Sequence, residues 1–455
     1  MSEKRISRRQ FMAKSAGAAG ALAVARTVRL DREVPEWASG SDRQVGPNDR
    51  IRFGMIGVGM QGSGLMATSI KLPGVECAMA CDLYDARHTL AQEIAGPKEN
   101  LTTTRHYHEL LDDKDIDCIV AAVPDHWHKQ VVVDAVSAGK DIYCEKPMSH
   151  SPADGLEMVA AVQKSGRIMQ VGSQRVSSVI AAKAKELIAE GAIGDLCLVE
   201  AVNGRNSPCG AWEYPIPPGI STDNLDWDTW QGTVPKRAFD PSIFARWRCW
   251  KEYGTGVAGD LLVHLMSGYL CVMGLNEAPK RAMAMGGIYR WKDGRNMPDV
   301  HAVLFDFGGP PVYMRLNLGT ETPETYRFMG SKGILEITTD VITVTPQSGE
   351  DTEPCYYAVT FPKPEHDAYV KEWEAEHASM GKAVVTGGVK YTGPSWDDTQ
   401  PHLWNFFQAV RTRKPVVEDV VFGHHAALAC HMANESYFAG RGVTWNEPAG
   451  KIEAL

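Results

Sequence analysis

The chain has 455 residues, 44% of them apolar and 23% charged, which points to a folded protein of about two or three domains with ample material for a buried core. Its formal net charge of −9 becomes −13 once the five basic residues and one acid of the first 25 positions are set aside, and such a surface speaks against nucleic acid or an anionic membrane as partner. Ten cysteines include no CxxC pair or zinc-type cluster, so no metal is expected and no spacing requires a disulfide.

The first 25 residues read as an export signal. Ser7-Arg8-Arg9-Gln10-Phe11-Met12 is a twin-arginine pattern, and the apolar stretch 16–25 after it is too short to span a bilayer. Ala23-Val24-Ala25 fits a small-x-small cleavage site. The twin-arginine translocation machinery carries folded proteins, so the expected destination is the periplasm, with no membrane segment in the mature form. Residues 26–48, polar with scattered prolines and glycines, are expected to form an irregular arm.

From 49 to 174 strand-like and helix-like segments alternate. Strands are expected at 51–56, 75–81, 117–123, 141–144 and 168–172, with helices at 65–71, 86–94, 108–111, 130–138 and 153–164 between them. Strands separated by helices of this size imply a parallel, doubly wound sheet. Cys77, Cys81, Cys118 and Cys144, and Cys197 further on, sit in apolar runs where a small buried thiol is the ordinary reading.

The first strand enters Gly57-x-Gly59-x-x-Gly62. Gly57 permits a tight turn, Gly59 lets the backbone approach a pyrophosphate, and Gly62 lets the next helix pack on the strand while its N-terminus receives phosphate charge. The second strand ends on Asp82, twenty residues past Gly62, where a carboxylate would meet adenosine ribose hydroxyls. Leu83 rather than a basic residue follows, which favours NAD over NADP, because a 2′-phosphate would face a carboxylate with no adjacent cation. The structural alternative is an ordinary glycine turn.

Beyond 174 the rhythm changes. A helix at 179–190 is stopped by Gly191, a strand follows at 196–202, and 203–253 is long, rich in proline, glycine and tryptophan, and without a clear period. A helix is expected at 257–273. Strand-like runs then come at 281–288, 301–307, 312–318, 327–329, 333–337 and 341–345, with helices at 403–410 and 421–439. This predicts an α+β domain over 175–455 built on a large, mostly antiparallel open sheet.

Two further stretches carry chemistry. Cys144-Glu145-Lys146-Pro147 ends a strand of the first domain, and ligands of doubly wound sheets lie at strand C-terminal ends. In Gly259-Asp260-Leu261-Leu262-Val263-His264 the i, i+4 spacing would let the Asp260 carboxylate orient the His264 imidazole. Taken alone, a structural lysine and a helix-surface Asp–His pair are the alternatives. With the motifs GVGMQGSG, CDLYDAR, VPDHWH, CEKP, GAIGD and GDLLVH in this order, the chain resembles the Gfo/Idh/MocA oxidoreductase family from Ile51 to His264, and more loosely beyond.

The resemblance implies a Rossmann domain, an α/β domain whose open sheet mediates homo-oligomerisation, a tightly held nicotinamide and a carbohydrate substrate. It matches Lys146, Asp260 and His264 to the family's catalytic residues. Cofactor contacts are expected at Gly57, Gly59, Met60, Gln61, Gly62, Asp82, Arg87, Pro124, His128, Glu145 and Lys146. Asp125 reads as a helix N-cap. Substrate contacts are expected at Lys146, Trp227, Arg246, Trp247, Tyr253, Asp260 and His264. Trp227, Trp230, Trp247 and Trp250, with Arg246, Arg248 and Tyr253, suit a sugar site or, equally, a hydrophobic plug for an irregular loop. His424, His425 and His431 lie in an alanine-rich helix and read as packing or surface residues.

Three functional readings follow. The first is an exported NAD(P)-dependent oxidoreductase of sugars, glycosides or cyclitols. The second is a redox-neutral NAD-dependent glycosidase, which the export signal favours and the CEKP form of the motif does not. The third is a sugar-sensing protein on the same fold, against which Lys146, Asp260 and His264 speak.

Overall fold

The computed structural model describes residues 26–30, 50–97, 101–347, 349, 351, 353–377, 388–393 and 398–455. The expected signal, residues 1–25, lies outside the described residues, as does most of the expected arm. The arm's first four residues are not irregular: Arg26–Arg29 form β1, whose Thr27-Val28 centre suits a strand.

Six parallel strands make the smaller sheet: β2 (Ile51–Ile56), β3 (Val75–Cys81), β4 (Thr102–Thr104), β5 (Cys118–Ala121), β6 (Asp141–Glu145) and β7 (Met169–Gly172). Their order is β4-β3-β2-β5-β6-β7. With helices on both faces β5, β6 and the edge strand β7 are buried throughout, which is why β5 reads as an apolar run rather than an alternation. Register sets the site. Ile56 pairs with Cys81 and Ala121, and Ala121 pairs with Cys144. Gly57, Asp82 and Ala122 therefore leave the sheet together at its C-terminal edge, beside Glu145, the last residue of β6.

The larger sheet adds β8 (Leu196–Gly204), β9 (Arg281–Gly287), β10 (Val300–Asp306), β11 (Val312–Asn317), β12 (Thr322–Gly330), β13 (Gly333–Thr338), β14 (Val341–Pro346), β15 (Val389–Thr392), β16 (Val443–Asn446) and β17 (Lys451–Ala454). Its order is β1-β15-β14-β13-β12-β8-β11-β10-β9-β16-β17. All its pairs are antiparallel except β1 with β15 and β8 with β11. Alternate residues such as Val303, Phe305, Met314, Leu316 and Phe328 point into one core with the helices Val179–Ala189, Val263–Met273 and Val420–Ala439. The opposite face leaves Met283, Met285 and Leu304 exposed at 40%, 69% and 49%. Cys197 is exposed on β8, not buried as its apolar neighbours suggested.

The chain crosses back after the large sheet. Helix Thr399–Thr412, expected with the second domain, buries Leu403, Phe406 and Phe407 against Phe53 and Tyr143 of the parallel sheet. The Phe53 and Phe407 rings lie 5.7 Å apart. The long 203–253 segment is held by an aromatic cluster, in which Trp227 stacks on Trp230 at 4.8 Å beside Tyr84, Phe244 and Tyr253. No helix among the described residues is long and apolar enough to cross a membrane.

Candidate active site

The glycine loop is built as its spacing requires. Gly57 has φ +86°, and a Cβ there would lie 2.5 Å from the Ala122 carbonyl oxygen. A Cβ on Gly62 would come within 1.9 Å of the Gly57 carbonyl oxygen, so helix Met60–Ser69 can seat on the strand only with glycine at that position. Gly59 caps this helix without any side-chain hydrogen bond, leaving its first N–H groups without intrahelical acceptors at a cleft edge formed by Gly59, Met60 and Gln61.

At the neighbouring strand end Asp82 is buried, and its carboxylate holds the loop itself. Oδ2 accepts from the Val58 N–H at 2.8 Å and Oδ1 from the Tyr84 N–H at 3.0 Å. Arg87 Nη1 lies 3.3 Å from Oδ2. The expectation that no cation stands beside Asp82 is therefore overturned. Arg87, one helical turn along Asp85–Ala95, supplies one, and Arg105 lines the same apolar recess under Leu83, Pro124 and Trp127.

A cleft of about 280 Å³ opens between the two sheets and brings Gly59, Met60, Gln61, Arg87, Pro124, Glu145 and Lys146 together with Trp247, Asp260 and His264. Lys146 Nζ donates to Asp260 Oδ1 at 2.9 Å and to the Asp260 carbonyl at 2.8 Å. Arg248 Nε donates to the same Oδ1 at 3.0 Å, and Trp212 Nε1 to Oδ2 at 3.0 Å. Burial alone would raise the Asp260 pKa, but the Lys146 and Arg248 cations outweigh it and hold the carboxyl well below the usual carboxylate range.

Asp260 thus anchors the lysine and does not orient His264, as the i, i+4 spacing had suggested. The reason is local: Ala258–Leu262 is a π-helical turn, which rotates the two side chains out of the α-helical alignment. His264 Nδ1 is buried with no hydrogen-bond partner among the described residues. Burial, then the Lys146 charge, pushes the imidazole pKa well below its ordinary value, so the ring is neutral around pH 7.

Glu145 is buried beside the lysine. It accepts from Gln61 Nε2 at 2.9 Å, Gln174 Nε2 at 2.7 Å and the Lys146 N–H at 3.2 Å, and burial raises its pKa. His128 does not reach the cleft. Its ring nitrogens sit against the carbonyls of Pro147 (2.7 Å) and Val123 (2.9 Å), which ties the two loops carrying Lys146 and Pro124. Asp125 is not a cap: Oδ2 accepts from the Thr255 N–H at 2.9 Å and hydroxyl at 2.6 Å, binding the loop after β5 to the segment before the π-helical turn.

Of the aromatic and arginine residues expected at the substrate, Trp247 lines the cleft and carries Arg248 over its ring at 4.2 Å. Trp227, Tyr253 and Arg246 do not line it. Trp227 and Tyr253 are 5% and 0% exposed within the plug, and Arg246 Nε donates to the Tyr214 carbonyl at 3.0 Å. The Trp227 and Tyr253 rings pack on Trp230, at 4.8 and 4.9 Å, rather than facing the cleft. Trp230 and Arg248 of the same cluster also line the cleft, whereas sequence reasoning missed Gln174, Arg205 and Tyr214 in the lining and Trp212 behind Asp260. They come from distant stretches that only the fold assembles. A larger cavity, about 530 Å³, lies between Pro152, Lys251 and Phe438 and holds none of the expected residues.

Residues 51–173 match the model of the Gfo/Idh/MocA family, described as an oxidoreductase family with an NAD-binding Rossmann fold. Inositol 2-dehydrogenase of Salmonella paratyphi B is 30% identical over 174 residues, 37% of this chain and 50% of that protein. Alpha-N-acetylgalactosaminidase of Shewanella oneidensis is 27% identical over 173 residues, 35% of this chain and 38% of that protein. The chain spans about half the length, or less, of these curated relatives. Among solved structures, levoglucosan dehydrogenase in complex with NADH and levoglucosan superposes with a TM-score of 0.63 at 18% identity, covering 88% of this chain and 100% of that one. Aldose–aldose oxidoreductase from Caulobacter crescentus does so with a TM-score of 0.59 at 18% identity, covering 87% and 100%. These likenesses establish the two-sheet fold.

Proposed function

We propose that the protein is an exported NAD-dependent oxidoreductase acting on a secondary alcohol of a sugar, glycoside or cyclitol. The observation that carries this reading is the meeting of the glycine loop, Lys146 and His264 in one cleft. The residues fit a dinucleotide: the uncapped N-terminus of helix Met60–Ser69 suits the pyrophosphate, and the recess beside Asp82 and Arg87 suits the adenosine. Arg87 could pair with a 2′-phosphate, and NAD remains the preferred partner because Asp82 already engages that guanidinium.

A nicotinamide bound here would supply the hydride acceptor for the carbinol carbon. Lys146 Nζ has three N–H donors, two of them spent on Asp260, and the third is left for the reacting oxygen, where its charge stabilises developing negative charge. His264, neutral and lining the same cleft, takes the hydroxyl proton. Asp260 is a positioning residue that acts through the lysine. Trp247 and Trp230 cover the cleft on the side of the long segment.

The second reading, a redox-neutral glycosidase that retains its nicotinamide, is favoured by the similarity to the Shewanella alpha-N-acetylgalactosaminidase and by the expected export, since the periplasm offers no free NAD pool. Absorbance of the purified holo-protein in the nicotinamide band, before and after addition of sugars and aryl glycosides, separates the two. A lasting change supports the first, and glycoside cleavage without net reduction supports the second. An inert spectrum with neither product contradicts both. The open face carrying Met283, Met285 and Leu304 is further proposed as the contact between copies of the chain.

A further inference from the structure

We propose that the substrate is a sugar acid, its carboxylate held by Arg205 beside Arg248; this rests on the oxidoreductase reading of the cleft. Arg205 directly follows Gly204 at the end of β8, and its N–H donates to the Asn317 carbonyl at 2.9 Å. Its side chain packs against Gly210, where an added Cβ would lie 3.1 Å from Arg205 Cβ and 3.5 Å from Cδ. The stem thus lies against Gly210, and Arg205, half-buried, lines the cleft with Tyr214.

The other cations of the cleft are matched. Arg87 pairs with Asp82, and Lys146 and Arg248 share Asp260. The Arg205 side chain, in contrast, makes no hydrogen bond or ion pair with the described residues, its one bond being the backbone N–H to Asn317. On the substrate side three cations, Lys146, Arg205 and Arg248, thus face the single carboxylate of Asp260. The remaining acids are engaged elsewhere: Asp125 by Thr255, and Glu145 by Gln61, Gln174 and the Lys146 N–H.

A neutral polyol docking here would strip water from an arginine and return no charge, whereas a carboxylate matches the planar guanidinium fork through two parallel hydrogen bonds. The pyrophosphate expected at the Met60 helix belongs to the other sheet and does not serve this role. An anion at Arg205 would also ease protonation of His264, whose basicity the Lys146, Arg175 and Arg205 charges depress.

The test compares D-glucuronate, D-galacturonate and D-gluconate with D-glucose and D-galactose on the holo-protein, by calorimetric binding and by steady-state turnover. Arg205→Gln and Arg205→Lys are measured alongside, with thermal melts to verify folding. At least one acid is expected to bind more tightly than the neutral sugars. Arg205→Gln should weaken that binding roughly 10–100-fold, mostly in KM, the scale of a charge-assisted pair. Arg205→Lys should recover part of it. Equal binding of acids and neutral sugars, failure of all three acids to bind, or an unchanged acid-to-neutral ratio in Arg205→Gln overturns the proposal. Arg205-dependent acid binding without hydride transfer would sink the oxidoreductase reading alone. Turnover of neutral sugars with no preference for acids would sink the sugar-acid inference alone.

Discussion

Replacing Asp260 by asparagine tests the central ion cluster. The change keeps volume and one acceptor oxygen but removes the charge shared by Lys146 and Arg248, and it turns an amide N–H₂ towards one of its three donors. Lys146 and Asp260 side chains are 12% and 13% exposed and Arg248 is 20% exposed, so water compensates little. Breaking a buried pair by removing one partner costs about 3–5 kcal/mol, and the retained oxygen argues for the lower end, about 3 kcal/mol. With an unfolding entropy near 2.1 cal/mol/K per residue over the 455-residue chain, that is a fall in Tm of about 3 °C. The pH dependence has a definite sign. The folded-state pKa of Asp260 is depressed, so its stabilisation is complete above the ordinary aspartate value near 4 and is lost as pH falls below it. The gap in Tm between wild type and Asp260→Asn should therefore hold from pH 7 to about 5 and narrow below about 4. Thermal melts across that range, monitored by circular dichroism, give the answer. A Tm difference under about 1 °C at pH 7 would refute the reasoning, and so would a gap that widens on acidification.

Asp82→Ala leaves the Val58 and Tyr84 N–H groups without their acceptor, so NAD affinity should fall by about 1–3 kcal/mol by calorimetry, with a parallel loss of thermal stability. Gly57→Ala places a Cβ against the Ala122 carbonyl at positive φ and should abolish NAD binding while leaving the large sheet folded, as judged by calorimetry and circular dichroism. Arg8→Lys with Arg9→Lys should keep the protein folded but cytoplasmic, and normal periplasmic recovery of the double variant would remove the export proposal.

The parallel half of the fold was legible because its signals are local: apolar runs, a glycine spacing fixed by steric demands, and an acid at the next strand end. The large sheet was legible in outline from alternating apolar residues. What stayed hidden depends on distant partners. Arg26–Arg29 is a strand only because Val389–Thr392 lies beside it, and Thr399–Thr412 joins the first core through contacts no local pattern announces. In the site, Lys146, Asp260 and His264 do meet, yet the Asp–His hydrogen bond drawn from helical spacing fails because the turn between them is π-helical. Composition could not tell aromatics that stack on a ligand from Trp227 and Trp230, which stack on each other. Arg87 was readable as a contact but not as the cation that Asp82 recruits.

The account's central claim is that Lys146 and His264 act on one substrate oxygen. Single-turnover reduction of bound NAD by a substrate sugar, followed in wild type, Lys146→Ala, His264→Ala and the double variant, tests it most directly. Each single variant should retain cofactor and lose on the order of 10²–10⁴ in rate, and the double variant should be far less impaired than the product of the two. Because His264 is held neutral, the wild-type rate should not fall as pH drops through the ordinary imidazole range between about 7 and 6. Full activity in His264→Ala would move the proton acceptor to Lys146, and full activity in both single variants would contradict the claim.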